Sequence, residues 1–338
     1  MNFDLLPTAL PPNIDDILIR CKGAYSQNTL RGYRNDLRHF QQWCEAQGKE
    51  WLPAEPETIA RFIDEEAKTK AMATVKHRLD AISFAHMIAD LPRPTGHSEV
   101  RLAVRRAKRR KSTRQQQVLG LTKELLDRML EACPDTRTGK RDAALLSVGY
   151  DTLCRSSELV LLRVEHLSPC RSRLLVPRSK NDQFGEGRAA YLSEETAKRL
   201  DVWLSSSEIT EGPLFQGLHT RKLAKRPFVT ASVRRIVKRA AERASLTPPE
   251  IKALSGHSMR VGAAQDMFVA GFETLGIMQA GGWKSQNVLA RYVEHASTQA
   301  MHLRRWKRLS EIHSEARMPA QSEPALQPHY GVVNARSR

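Results

Sequence analysis

Gly256-His257-Ser258-Met259-Arg260, followed by Gly281-Gly282-Trp283 and then Tyr292, sets an imidazole, a guanidinium, an indole N–H and a phenol within a few dozen residues. The spacing of apolar residues predicts helix over 257–270, stopped by Gly271, over 274–280, stopped by Gly281-Gly282, and over 285–294 after Ser285. Short helices separated by glycines are therefore expected to hold the four polar groups. Upstream, Arg155-Ser156-Ser157-Glu158-Leu159 opens another short helix. Leu174-Leu175-Val176-Pro177 and Ala189-Ala190-Tyr191-Leu192 read as two short strands, joined by a polar loop containing Lys180.

The charge balance points to a class of partner by exclusion and by sign. With 54 Lys+Arg against 37 Asp+Glu, the chain carries a formal +17 and a sequence pI near 10.0, which in a chain 41% hydrophobic points to a folded protein with a polyanionic partner, double-stranded nucleic acid foremost. No run approaches the roughly 18 apolar residues of a spanning helix, and the start lacks the basic character of a secretory signal. The reading is a soluble, cytoplasmic protein with no membrane partner. Cys21, Cys44, Cys133, Cys154 and Cys170 are scattered, without a C-x-x-C pair or zinc spacing, so no metal is implied. No phosphate-cradling G-x-x-x-x-G-K-[ST] loop occurs, and no nucleotide cofactor is implied either.

Taken in order, residues 1–24 are broken by Pro7, Pro11 and Pro12 and are expected to form a flexible arm with at most a short turn. Residues 25–110 predict a bundle of four helices, the first capped by Ser26 and stopped by Gly48, the second opened by Pro56. Arg31, Arg34, Arg38, Lys76 and Arg78 lie on its polar faces, and the fourth helix ends in Arg105, Arg106, Arg109 and Arg110, candidates for contact with a DNA backbone. A basic linker over 111–118 follows. A second domain is expected over 119–313, mostly helical around the two-stranded hairpin, with Ser193 and Thr230 as helix caps. Its final helix, about 297–312, places Ala300, Leu303, Trp306 and Leu309 on one face. Residues 314–338, rich in Pro, Ser and Gln, read as a disordered tail.

Cleaving a phosphodiester without metal or ATP takes a nucleophile, fixed donors for the non-bridging oxygens and a proton for the leaving oxygen. Arginine suits the donors because its planar fork gives two parallel bonds to a phosphate and stays charged. A phenol, with a pKa near 10, suits the nucleophile only inside such positive charge. Each residue also has a plain reading. His257 and Arg260 could be an exposed pair, Trp283 a core plug, Tyr292 packing beside Val288, Leu289 and Val293, and Arg155 with Glu158 a surface ion pair.

Together, Arg155 with Glu158, Lys180 in a hairpin, His257-Ser-Met-Arg260, Trp283 and Tyr292 resemble the tyrosine recombinase (phage integrase) family, its Cre-like members in particular. The likeness spans most of 25–310 and is strongest over 140–295, in Asp151-Thr-Leu-Cys-Arg155-Ser-Ser-Glu158, Gly256-His-Ser-Met-Arg-Val-Gly-Ala-Ala264 and Ile277-Met-Gln-Ala-Gly-Gly-Trp283. Cys154 and Met259 depart from the Cre-like pattern. The resemblance implies a mainly α protein in which an N-terminal core-binding bundle and a catalytic domain with a small antiparallel sheet close round duplex DNA. It further implies that Arg155 and Arg260 clamp the scissile phosphate, His257 hydrogen-bonds it and assists proton movement, and Trp283 donates its indole N–H. Lys180 would protonate the leaving 5′-oxygen, Glu158 would orient its neighbours and Tyr292 would form a 3′-phosphotyrosine. Four protomers, monomeric or weakly associated when free, would assemble on two specific sites with inverted-repeat arms and pass through a Holliday junction. The alternatives are a type IB topoisomerase-like enzyme and a DNA-binding regulator without catalysis.

Overall fold

The computed structural model describes residues 13–110, 117–177, 187–219, 222–223, 228–296 and 299–315. The chain divides into two compact units, Met1–Gln116 and Gln117–Arg338.

In the first unit α1 (Ile14–Arg20), α2 (Gln27–Ala46), α3 (Pro56–Thr69), α4 (Met72–Ile88) and α5 (Ser98–Arg110) surround one core. Leu37, Phe40, Phe62, Ile63, Ile82 and Val100 are almost wholly buried there. The caps follow the local chemistry: Ser26 Oγ accepts from Thr29 N at 3.1 Å, and Pro56 occupies the first helical turn of α3, where no N–H is needed. The expected loose arm over 1–24 differs in its second half. Asn13 caps α1, and Ile14, Ile17 and Leu18 recur at helical spacing on a face buried in the bundle.

The second unit has its main core around Trp203, with Leu145, Val148, Leu200, Phe215, Val237 and Met259. Trp203 satisfies its indole N–H on Leu214 O at 2.9 Å, which lets so large a ring be fully buried. α6 (Lys123–Glu131), α7 (Arg137–Asp151), α8 (Ser156–Leu159), α9 (Glu194–Ser207) and α10 (Thr230–Arg243) pack on it. β1 (Arg173–Val176) pairs antiparallel with β2 (Arg188–Tyr191), Leu174 opposite Ala190, and a second pairing joins Leu218–His219 to Lys222–Leu223. Thr230 is the first residue of α10, one position inside the cap expected of it, and Val229 caps instead.

α11 (Pro248–Ala253) was not foreseen, although Thr247 and Glu250 form a capping box in which the Glu250 carboxylate takes Thr247 N at 2.8 Å. α12 (Ser258–Val269), α13 (Thr274–Gly281) and α14 (Gln286–Val293) follow the expected pattern, and α15 (Gln299–Glu315) closes the described chain. A small second core of Leu153, Ala263, Ala264, Ile277, Trp283 and Leu289, with Tyr292 and Val293 against it, lies beneath α14.

Candidate active site

His257 is the N-cap of α12 and Arg260 lies on its first turn, so one helix start fixes both. Arg260 is fully buried. Its Nη1 donates to Leu153 O, the carbonyl of a residue held at φ +51, an uncommon backbone for leucine beside the Arg155 loop. The guanidinium carbon lies 4.0 Å over the Trp283 ring and 5.7 Å from the centre of the Tyr292 ring. Trp283 meets Tyr292 edge to face at 5.0 Å, and His257 Nε2 stands 2.6 Å from the Tyr292 hydroxyl oxygen. Four side chains from three helical segments thus touch one another.

Three buried donors in this cluster, Arg260 Nε, Arg260 Nη2 and Trp283 Nε1, have no acceptor among the described residues. Each unmade bond costs about 1–3 kcal/mol, a cost an incoming anion would relieve. Burial first, and then the charges of Arg260 and Arg155, lower the His257 pKa to about 4, with Glu158 opposing, so the ring is neutral near pH 7. Burial and Arg155 likewise lower Arg260 to about 10, opposed by Tyr292 and Glu158. Arg260 still carries its charge at neutral pH.

Arg155 precedes α8, and Glu158, 2% exposed, holds it twice: Glu158 Oε2 accepts from Arg155 N at 3.0 Å and Oε1 from Arg155 Nη1 at 2.6 Å. The plain reading of a surface pair fails on that burial. Trp283 is delivered by the tight end of α13. Gly282 takes φ +66, and a Cβ on Gly281 would lie 1.9 Å from the Trp283 ring. Lys180 lies outside the described residues, as do the linker residues 111–116.

One residue of the site escaped the sequence reading. Arg188, first in β2, donates from Nη1 to Ala280 O at 2.8 Å and from Nη2 to Thr152 O at 2.6 Å, and lies 3.9 Å from Glu158 Oε2. It ties the hairpin to the Arg155 loop and to the helix end that presents Trp283. Its only sequence signal was a basic residue where the strand pattern has no need of one. If the site cleaves DNA, as the resemblance implies, Arg188→Lys, whose single ammonium cannot span both carbonyls, is expected to slow that cleavage about tenfold or more without weakening DNA binding, read by single-turnover kinetics beside a binding assay.

The candidate DNA contacts of the first unit fall into three groups. Arg31, Lys76, Arg105, Arg109 and Arg110 are exposed. Arg34 and Arg38 face Asp15 at 2.8 and 3.4 Å, and Arg106 faces Asp64 at 2.6 Å, all with solvent access. Arg78 is turned inward, 13% exposed, against Glu66 and Asp36. No group of His, Cys, Asp or Glu suited to a metal occurs among the described residues, and none of their helices is long and apolar enough to cross a membrane.

A buried guanidinium with unpartnered donors thus stands beside a phenol and a neutral imidazole. Residues 120–299 match the phage integrase family, and residues 17–88 match the phage integrase N-terminal SAM-like domain. The chain belongs to the phage integrase family of tyrosine recombinases. It is 30% identical over 313 residues to an integrase/recombinase xerD homolog of Selenomonas ruminantium, covering 88% of this chain and 91% of that one. It is 28% identical over 305 residues to the recombinase cre of Escherichia phage P1, covering 83% and 88%. In fold it resembles the XerH site-specific recombinase bound to a palindromic difH substrate, with TM-score 0.61, 16% identity and coverage of 89% and 84%.

Proposed function

We propose that the chain is a site-specific recombinase that cuts and rejoins duplex DNA through a 3′-phosphotyrosine at Tyr292. The observation that carries this is the set of three buried, acceptorless donors on Arg260 and Trp283, both packed on the Tyr292 ring. A phosphodiester set there would receive Arg260 and Trp283 on its non-bridging oxygens, with Arg155, oriented by Glu158, as the second guanidinium. His257, neutral and 2.6 Å from the phenol, takes the phenolic proton as Tyr292 Oη attacks phosphorus. The P–O5′ bond breaks, the 5′-oxygen takes a proton from Lys180, and the 3′-phosphate stays on Tyr292. Reversal by a second 5′-hydroxyl rejoins the strand. No nucleotide is consumed.

Residues 25–110 would serve as the core-binding module, 111–118 as the linker and 119–313 as the catalytic module. Arg31, Lys76, Arg105, Arg109 and Arg110 suit contacts to phosphates, and Arg34, Arg38 and Arg106 could exchange their carboxylate partners for them; Arg78, held inward, suits the fold better. Leu303 and Trp306, neighbours on one face of α15, are 57% and 58% exposed. That face supports a helix that docks on a second protomer, as a tetramer on two DNA sites would require.

The test is covalent capture on a nicked duplex taken from inverted repeats neighbouring the coding sequence, with peptide mapping of the adduct. An adduct at Tyr292 on that site supports the reading; relaxation of any supercoiled plasmid by a monomer favours the topoisomerase. The pH profile adds a second check. Because His257 keeps its proton-accepting form down to about pH 4, the cleavage rate is expected to show no His257 inflection near 6.5 and to fall only toward 4. The unfolded chain accepts that proton near 6.5 and the folded one does not, so His257 lowers stability as pH drops through this window. An inflection at 6.5 in single-turnover rates would sink the proton-acceptor role.

A further inference from the structure

We infer that Gln117 and Gln265 are positioning residues that set the place of Tyr292 through its backbone carbonyl; this rests on Tyr292 being the nucleophile. α14 ends at Val293, and the Ala296 N–H turns to Val293 O at 2.9 Å, so the Tyr292 carbonyl lacks the donor that a longer helix would supply. Two side-chain amides replace it. Gln117 Nε2 donates to Tyr292 O at 2.9 Å and Gln265 Nε2 at 3.2 Å.

Each amide is itself fixed. Gln265 is 7% exposed on α12, the helix that also begins at His257 and carries Arg260. Gln117 begins an extended strap laid along α11 and α12: Leu119 N donates to Ala253 O at 3.0 Å, Leu121 N to Ser258 O at 2.8 Å and Lys123 N to Asp266 Oδ2 at 2.6 Å. The strap lies against bare backbone, for a Cβ on Gly262 would stand 1.9 Å from Leu121 O, and one on Gly120 would stand 2.2 Å from Gln265 Oε1. Gln117 Oε1 is buried with no partner among the described residues, so its amide keeps its burial for the one bond to Tyr292. The phenol is thereby held at both ends, at Oη by His257 and at the carbonyl by two glutamines from the helix and the strap that border the pocket. Neither glutamine touches the reacting atoms in this arrangement.

The experiment exploits what an amide and an acid of the same shape can donate. In Gln117→Glu and Gln265→Glu the ionised carboxylate cannot donate to a carbonyl. Covalent capture on the nicked duplex should slow about tenfold at pH 8, the loss of one buried hydrogen bond, with duplex affinity within about twofold. Protonation returns an O–H donor, so the defect relative to the parent chain should shrink as pH is lowered from 8 to 5. Gln117→Met, similar in length and donorless, should be slow at every pH while melting as the parent does. Parent-like rates in the Glu and Met variants overturn the inference, and so does a Glu defect that acid does not relieve. Capture that persists in Tyr292→Phe would instead overturn the nucleophile assignment on which it rests.

Discussion

Tyr292→Phe is expected to abolish covalent capture of DNA, by about a thousandfold or more, while leaving duplex affinity and the fold in place. The substitution removes one oxygen. The ring keeps its edge-to-face contact with Trp283 and its place near the Arg260 guanidinium, and its carbonyl keeps both glutamine donors. What is lost is the hydroxyl proposed as nucleophile, which is also the partner of His257 Nε2. The stability cost is therefore that of one hydrogen bond, about 1 kcal/mol, far below what unfolds a domain of this size. Denaturing gel electrophoresis of the variant on a nicked duplex, beside a gel-shift of the same complex, separates chemistry from binding. An adduct in the Phe variant, mapped to another residue, would remove Tyr292 from the mechanism.

The second large effect is expected at Arg260. Arg260→Lys should lower the cleavage rate by about a hundredfold to a thousandfold, the scale for removing a preorganised donor of transition-state charge. Three things go with the guanidinium: the bond to Leu153 O, the two unpartnered donors Nε and Nη2, and the flat cation over the Trp283 ring. A lysine cannot replace the fork, and an ammonium buried in this position would be driven toward its neutral form. Arg260→Ala leaves a guanidinium-sized space, so added guanidinium ion should restore part of the rate. A lysine variant that cleaves within a few-fold of the parent would mean that the phosphate is clamped elsewhere.

The class of fold was readable because its cues are local. Apolar residues at three- and four-residue spacing, Ser26 and Ser193 as caps and Gly271 and Gly282 as stops each act within one turn of helix, and the corresponding helices form as expected. The small hairpin was readable for the same reason, since its two strands are short apolar runs broken by a polar loop. The residue types of the site were readable as a set, and the resemblance to tyrosine recombinases singled out Arg155, Glu158, His257, Arg260, Trp283 and Tyr292 as candidates; the structure sets Arg155 on Glu158 and brings the other four together.

What escaped is what depends on tertiary approach. Arg188 looks like any strand-end arginine until its two carbonyl partners, 36 and 92 residues away, come together around it. Gln117 looks like part of a polar linker until a strap brings it to Tyr292, 175 residues on. Arg78 looks like its neighbours on a basic face, and only the approach of α3 and α2 shows that two carboxylates hold it. The helical character of Ile14–Arg20 was hidden by the prolines before it, though Asn13 and the spacing of its apolar residues were present.

The burial of Glu158 has a consequence for the balance of charge during the reaction. Its one carboxylate faces two guanidiniums, Arg155 at 2.6 Å and Arg188 at 3.9 Å, so with Arg260 the described side chains here carry three positive charges against one negative. That is a net two units, one more than a resting phosphodiester carries. In the proposed reaction a second negative unit would develop on the equatorial oxygens as Oη bonds to phosphorus, and the proton that His257 takes from the phenol would match it within the pocket. What the pocket leaves unmatched is the charge on the departing oxygen, so in the proposed reaction the proton assigned to Lys180 would decide when the strand breaks while the buried cations decide where.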